Sequence, residues 1–184
     1  MPFRLPPRRT IALSLATNLL IPLATGLAGC SLTSSSGKNC DGSEPRLKEL
    51  AALTILDSRP PHTTVPKNYG SVTTDCNDGS GGDAWLSAYR VYSFPGSKAD
   101  LFAYYRQVAA ANHWTEQQDT NSMSVPPEVE GICFTKGGDG DAILLTVDFR
   151  TESLWPAPVD FGAGTGYKIS AESAIDGAKT DCWK

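Results

Sequence analysis

Four cysteines, Cys40, Cys76, Cys133 and Cys182, constrain this chain more than any other feature. They stand far apart and at irregular intervals, with no Cys-x-x-Cys among them. Zinc sites and redox dithiols bring their thiols together at short, regular spacings, so this pattern argues against both. In an exported chain an even number of cysteines reads as two disulfides. Three pairings are open, and spacing does not choose among them. Each bridge closes a long loop and restricts the unfolded chain, a stabilisation of roughly 3–4 kcal/mol. Cys182 lies two residues from the last of the 184, so its bridge pins a C-terminus that would otherwise fray.

Export is written at the other end. Arg4, Arg8 and Arg9 precede the uncharged run Thr10–Leu27, the charged and apolar regions of a secretory signal. Ser14, Thr17, Asn18, Pro22 and Gly26 interrupt that run, whereas a membrane span needs about 20 mostly apolar residues. No later stretch approaches that length. The run closes on Leu27-Ala28-Gly29-Cys30, which resembles the lipobox of bacterial lipoproteins: an aliphatic residue, two small ones, then cysteine. Small residues fit a peptidase cleft, and the thiol is the nucleophile that takes a thioether-linked diacylglyceryl group. The resemblance implies that Cys30 is lipidated and that the chain is then cut before it. Residues 1–29 are then a signal peptide, 30–42 the lipidated cysteine and a flexible Ser-rich tether, and 43–184 one globular domain. The alternative is a general signal peptide with an ordinary cysteine near its cut. Arg8-Arg9-Thr10-Ile11 also resembles a twin-arginine export signal, without its usual bulky aromatic and later lysine.

Processing removes three arginines and no acid, turning 16 basic and 20 acidic residues into 13 and 20, a formal charge of −7. An acidic chain argues against nucleic acid as a partner and against electrostatic docking on anionic lipid. The expected membrane contact is therefore the lipid on Cys30, whose two acyl chains suffice for stable anchoring. The expected location is the extracytoplasmic face of the cell membrane, with an unknown protein or small molecule as partner.

The periodicity predicts an α+β domain, a single antiparallel sheet of about four to five strands with two helices on one face. Ser43–Leu56 reads as the first helix, capped by Ser43, with Pro45 in its first turn and Leu47, Leu50, Ala51 and Thr54 at helical spacing. Pro60-Pro61 ends it, and Asp57–Asp83 reads as a long loop stapled by Cys76. Trp85–Phe94 is dense in aromatic and β-branched residues and reads as a strand buried on both faces. Ser97-Lys98-Ala99-Asp100 is a capping-box variant. The helix it opens carries Leu101, Tyr104, Tyr105, Val108 and Ala111 on one face and stops at Asn112, a tolerable left-handed residue. Trp114 begins an extended segment. Ile132–Lys136 and Ala142–Phe149 flank the hairpin loop Gly137–Asp141. In Tyr167–Ile175 the side chains of Tyr167, Ile169, Ala171 and Ile175 oppose those of Lys168, Ser170 and Glu172.

An aromatic strand, Pro-Gly-Ser, a helix with Tyr-Tyr and a closing Trp, here Tyr92 to Trp114, resemble small exported lipoproteins of actinobacteria. Those usually place Gly before the Trp, where this chain has Asn112-His113. The resemblance covers under a quarter of the processed chain and implies the fold and the lipoprotein class, without an activity.

Signs of catalysis are sparse. Imidazole-based nucleophile chemistry needs a positioned histidine. The chain has two, His62 in the Pro-rich loop and His113 just past a helix end, where solvent and capping roles suffice. No Gly-x-Ser-x-Gly, His-Glu-x-x-His or phosphate-binding glycine loop occurs. Asp75–Asp83 resembles a calcium loop superficially, yet Gly is at the fifth position and Leu86 stands where a bidentate Glu belongs. No metal or cofactor is expected. Asp83, Asp148 and Glu172 are candidates for a carboxylate pair, with Asp148 expected in solvent. Trp155 on the Pro/Gly-rich stretch 151–166 is either a ligand contact or a cover for the core edge. The residues favour a non-catalytic binding or interaction domain, with an exported hydrolase using carboxylates and a cation as the alternative.

Overall fold

A computed structural model describes residues 39–78, 83–117, 131–149 and 159–182. The lipobox with Cys30, the tether as far as residue 38 and Trp155 lie outside them. Helix α1 (Glu44–Ala51) and a 3-10 turn (Thr54–Asp57) precede strands β1 (Thr73–Asn77) and β2 (Trp85–Phe94). Helix α2 (Lys98–Ala111) leads to β3 (Thr115–Gln117), β4 (Gly131–Lys136), β5 (Ile143–Asp148) and β6 (Thr165–Ala174). The strands form one six-stranded sheet in the order β1-β2-β6-β5-β4-β3, antiparallel at every pairing. The sheet with two helices and two disulfides is the expected α+β architecture, with six strands in place of four to five.

The two edge strands are the ones the sequence marks least. β1 lies inside the expected Asp57–Asp83 loop, and its sequence TTDCN offers no apolar alternation. β3 is three described residues long and lies in the extended segment expected after Trp114. An edge strand needs pairing on one side only, so a short polar segment qualifies.

Register sorts the side chains onto two faces. Leu86, Ala88 and Tyr92 of β2, Tyr167, Ile169 and Ala171 of β6, Leu145 and Val147 of β5, and Ile132 and Phe134 of β4 share one face. There they pack against Leu50 of α1 and Leu101, Phe102, Tyr105 and Ala109 of α2. Phe102 and Ala109 replace Ala111 on the buried stripe of α2, which rotates the expected face by part of a turn. Ser97 and Asp100 form the capping box, with the Asp100 amide donating to Ser97 Oγ at 3.1 Å and the Ser97 amide to Asp100 Oδ2 at 3.3 Å. The left-handed residue at the other end is His113 (φ 61), one position beyond the expected Asn112. The Trp114 amide donates to Ala109 O and the His113 amide to Ala110 O, the two bonds of a Schellman cap.

The first helix is shorter than Ser43–Leu56. It ends at Ala51, Leu53 turns extended, and Thr54–Asp57 rewinds as the 3-10 turn that buries Ile55 and Leu56. Ser43 makes no side-chain cap. Arg46 fastens this helix, its Nη2 donating to Asp141 O, Ala142 O and Ser173 Oγ at 3.1 Å each.

Of the three open pairings the fold uses Cys40–Cys76 and Cys133–Cys182, with Cα separations of 6.0 and 6.1 Å. The first ties the approach to α1 onto edge strand β1. The second ties the C-terminal segment to β4, where Cys133, Leu144 and Cys182 form a small cluster with Trp85 against it.

Candidate functional site

The sheet face turned away from the helices carries the chemistry. β2 presents Trp85, Ser87, Tyr89 and Val91 there, β6 presents Lys168, Ser170 and Glu172, and β5 presents Leu144, Thr146 and Asp148. Antiparallel pairing sets Ser170 beside both Tyr89 and Thr146, and Lys168 beside Asp148. This face is the polar side that alternation in β6 marks out, and the structure adds its partners from β2 and β5.

Glu172 is the hub. Its carboxylate accepts from Trp85 Nε1 at 3.0 Å, from Ser170 Oγ at 2.6 Å and from Thr146 Oγ1 at 3.4 Å. Thr146 Oγ1 and Ser170 Oγ are also 2.6 Å apart. With the Ser170 proton given to Glu172, that second contact has Thr146 donating to Ser170 or to the carboxylate. One step along the strands, Lys168 Nζ stands 3.6 Å from Asp148 Oδ2 and 5.9 Å from the centre of the Tyr89 ring. The result is a hydrogen-bonded group and an adjacent ion pair set in a strip across three strands, flanked by an indole and a phenol.

Asp148 departs from its expectation of solvent exposure, for it is 6 % exposed. It is on the face opposite Ile143 and Val147, as alternation requires, but that face is itself largely covered at Val91 and Ser170. A buried carboxylate is costly without a counter-charge, and Lys168 supplies one.

The strip can be weighed as a catalytic constellation. Lys168, the partner of Asp148 in the register, is four residues from Glu172 along β6. At about 3.4 Å per residue the two carboxylates attach roughly 13–14 Å apart. Retaining glycosidases need about 5–5.5 Å and inverting ones about 6.5–9.5 Å, so the geometry weighs against a carboxylate pair. Asp83 precedes β2 and is exposed at the sheet end. Ser170 beside Glu172 has the form of an activated hydroxyl, yet at 1 % exposure no substrate reaches it. Neither histidine joins the strip: His62 and His113 are exposed loop residues with φ of 66 and 61. The calcium-like pattern begins inside β1, where Asp75 and Asn77 point to one face and Cys76 to the other. Its first residues are therefore strand instead of loop, and residues 79–82 of the pattern lie outside the described residues. Among the described residues no group of three or more His, Cys, Asp or Glu is placed to hold a metal ion.

A second polar group lies in the core on the helix face, and sequence reading missed it. Tyr92, Tyr105 and Tyr167 are fully buried, with ring centroids 5.6 Å (Tyr92–Tyr167) and 5.9 Å (Tyr105–Tyr167) apart. Tyr92 donates to Leu56 O at 2.9 Å, and Tyr105 donates to Ser58 O at 2.7 Å. Tyr105 Oη is 3.2 Å from Tyr167 Oη. Because the Tyr105 proton is engaged by Ser58, Tyr167 is the donor in that contact. Burial raises all three phenols above the ordinary tyrosine value, Tyr105 and Tyr167 furthest. Such phenols remain neutral and act as clamps, holding the segment after α1 against β2, β6 and α2. The aromatic residues were legible as strand and helix formers, but nothing in their spacing showed that three would meet.

Among the described residues no helix is long and apolar enough to cross a membrane. No protein-family model matches this chain, and neither curated proteins nor solved structures show a significant similarity to it.

Proposed function

We propose that the chain is a lipid-anchored extracytoplasmic lipoprotein whose domain binds a partner and performs no catalysis of its own. The cysteine arithmetic carries this reading. The four described cysteines pair with one another. Cys30, at the end of a lipobox-like sequence, therefore shares no bridge with them and has the thiol that lipidation requires. Two disulfides are also compatible with a location outside the reducing cytoplasm.

The strip on the helix-free face supports binding over turnover. Its carboxylates are engaged by donors and a lysine, as in a recognition surface that must hold its shape, and the hydroxyl closest to Glu172, that of Ser170, is out of reach. Indole and phenol groups with one apolar face and one polar tip suit such surfaces. The partner is a protein or small molecule met at the cell surface, and the acidic chain argues against nucleic acid.

Fractionation of cells expressing Cys30→Ala tests the anchor. The variant should appear in the soluble fraction or persist as an unprocessed precursor. Normal processing together with membrane retention would overturn the reading. Partners co-purifying with the wild-type protein from the membrane fraction, and lost on combined Trp85→Ala and Tyr89→Ala substitution, would identify the binding face.

A further inference from the structure

The two disulfides stand in different surroundings. Cys133 is 1 % exposed and Cys182 8 %, and both are packed with Leu144. Cys40 and Cys76 are only half-buried. Thiol–disulfide exchange begins when a thiolate reaches a sulfur of the bridge, so access selects which bridge is attacked.

The accessible bridge joins two elements that are held unequally. On one side, Cys40 lies in a turn where its carbonyl accepts from Ser43 N at 3.2 Å, and the turn leads straight into α1. That helix is seated by buried Leu50 and by the Arg46 bonds to Asp141 O, Ala142 O and Ser173 Oγ. On the other side, β1 is an edge strand that pairs with β2 alone among the described strands. In residues 72–77 the apolar side chains are Val72 and Cys76, both only partly buried against the core, while Thr74 and Asp75 are exposed. A strand with one paired edge and so little buried apolar surface belongs to the part of a fold that opens most readily. The bridge fastens it to the seated helix.

β1 also borders the helix-free face. Thr73, Asp75 and Asn77 pair with Tyr89, Ser87 and Trp85, so β1 covers the edge of the β2 segment that carries the phenol and the indole.

We propose that Cys40–Cys76 is a redox clasp: a dithiol reductant opens it while Cys133–Cys182 stays closed, and β1 then leaves the β2 edge. In the exchange a thiolate of the reductant bonds to one sulfur of the bridge, and the other sulfur departs with the electron pair of the S–S bond. The reductant's second thiol displaces the first protein sulfur from the mixed disulfide. Cys40 and Cys76 end as thiols carrying the reductant's two protons, and the reductant ends as a disulfide. The pairings among β2, β6, β5 and β4 do not pass through this bridge, so they persist. The backbone edge of residues 85–89 becomes open to another strand, and the rim of the helix-free face changes with it. The clasp concerns the sheet edge and holds whether or not Cys30 is lipidated.

Timed treatment of the complete chain with dithiothreitol, quenched by N-ethylmaleimide and read by peptide mass spectrometry, tests the selectivity. Cys40 and Cys76 should be labelled on the order of tenfold sooner than Cys133 and Cys182. Hydrogen exchange of the Cys40→Ser/Cys76→Ser variant, which needs neither reductant nor label, tests the consequence. Amides of β1 should exchange on the order of a hundredfold faster than in the bridged protein, while those of β4, β5 and β6 keep their rates. The Cys133→Ser/Cys182→Ser variant should leave β1 protected. Equal or earlier labelling of Cys133 and Cys182, unchanged exchange in β1, or loss of protection throughout the sheet would each sink the clasp.

Discussion

Replacing Tyr105 by Phe isolates the buried phenol network, because one oxygen there serves two partners. Tyr105 Oη donates to Ser58 O at 2.7 Å and takes the proton of Tyr167, 3.2 Å away. The substitution removes both bonds, each worth about 1 kcal/mol net. It also takes the Tyr105 acceptor from the Tyr167 hydroxyl at 0 % exposure, where water cannot replace it and only the Thr63 side chain remains beside it. An unsatisfied buried polar group costs about 1–3 kcal/mol, so the expected loss is about 2–4 kcal/mol. Tyr92→Phe deletes a single bond, to Leu56 O at 2.9 Å, and should cost about 1–2 kcal/mol. The double variant Tyr105→Phe/Tyr167→Phe removes the stranded hydroxyl along with its acceptor. It should therefore cost no more than Tyr105→Phe alone, a coupling that additivity would not produce. Urea denaturation of the disulfide-intact protein measures all three, and the Tyr105→Phe melting temperature should fall by about 6–10 °C. A loss below that of Tyr92→Phe, or strict additivity in the double variant, would refute the shared-oxygen account.

Burial holds the Tyr92, Tyr105 and Tyr167 phenols above their ordinary value, so the unfolded chain releases these protons first. Their contribution is fully present below about pH 10 and declines above it, by up to about 1.4 kcal/mol per pH unit per phenol, as alkaline denaturation curves would show. His113 occupies the left-handed position of the Schellman cap with φ 61, so His113→Gly should raise stability by about 0.5–1 kcal/mol in urea titrations. A loss of stability there would mean that the imidazole makes a contact worth more than the strain. Cys133→Ser/Cys182→Ser opens a loop of 49 residues and should cost about 4 kcal/mol. Hydrogen exchange should then rise first in the C-terminal segment beyond β6.

What could be read from the sequence tracks how much apolar surface each segment buries. β2, α2, the β4–β5 hairpin and β6 carry dense alternation or a capping box, and each stands within a residue or two of its expected limits. β1 was not legible because an edge strand can be polar and short, its identity coming from the neighbour it pairs with, whereas the extended segment after Trp114 did mark the place of β3. Strand order was equally hidden, since no local pattern says that β6 inserts between β2 and β5. The candidate site was half legible for the same reason. Alternation placed Lys168, Ser170 and Glu172 on one face, but the partners Trp85, Thr146 and Asp148 come from strands 20 or more positions distant in the chain. Asp148 was misjudged because burial of a charge depends on its counter-charge, Lys168, which only register supplies.

The position of β6 also bears on how the protein is made. β1 pairs with β2, β3 with β4 and β4 with β5, but these two groups share no strand pairing until β6 fills the gap between them. The sheet therefore closes only when residues 165–174 are available, and Cys182 lies beyond even those. Each of the two bridges is worth about 4 kcal/mol in its closed loop, together comparable to the whole stability of an ordinary domain, about 5–15 kcal/mol. In a reducing cytoplasm the bridges do not form, so the complete chain there has little left to hold the sheet closed. A twin-arginine route requires a folded cargo, whereas threading the chain unfolded requires only that folding wait until the C-terminus has crossed. The bridges favour the second. If the chain is threaded unfolded, conservative replacement of Arg8 and Arg9 by Lys should leave export intact, as pulse-chase processing would show; loss of export would point to the twin-arginine route instead.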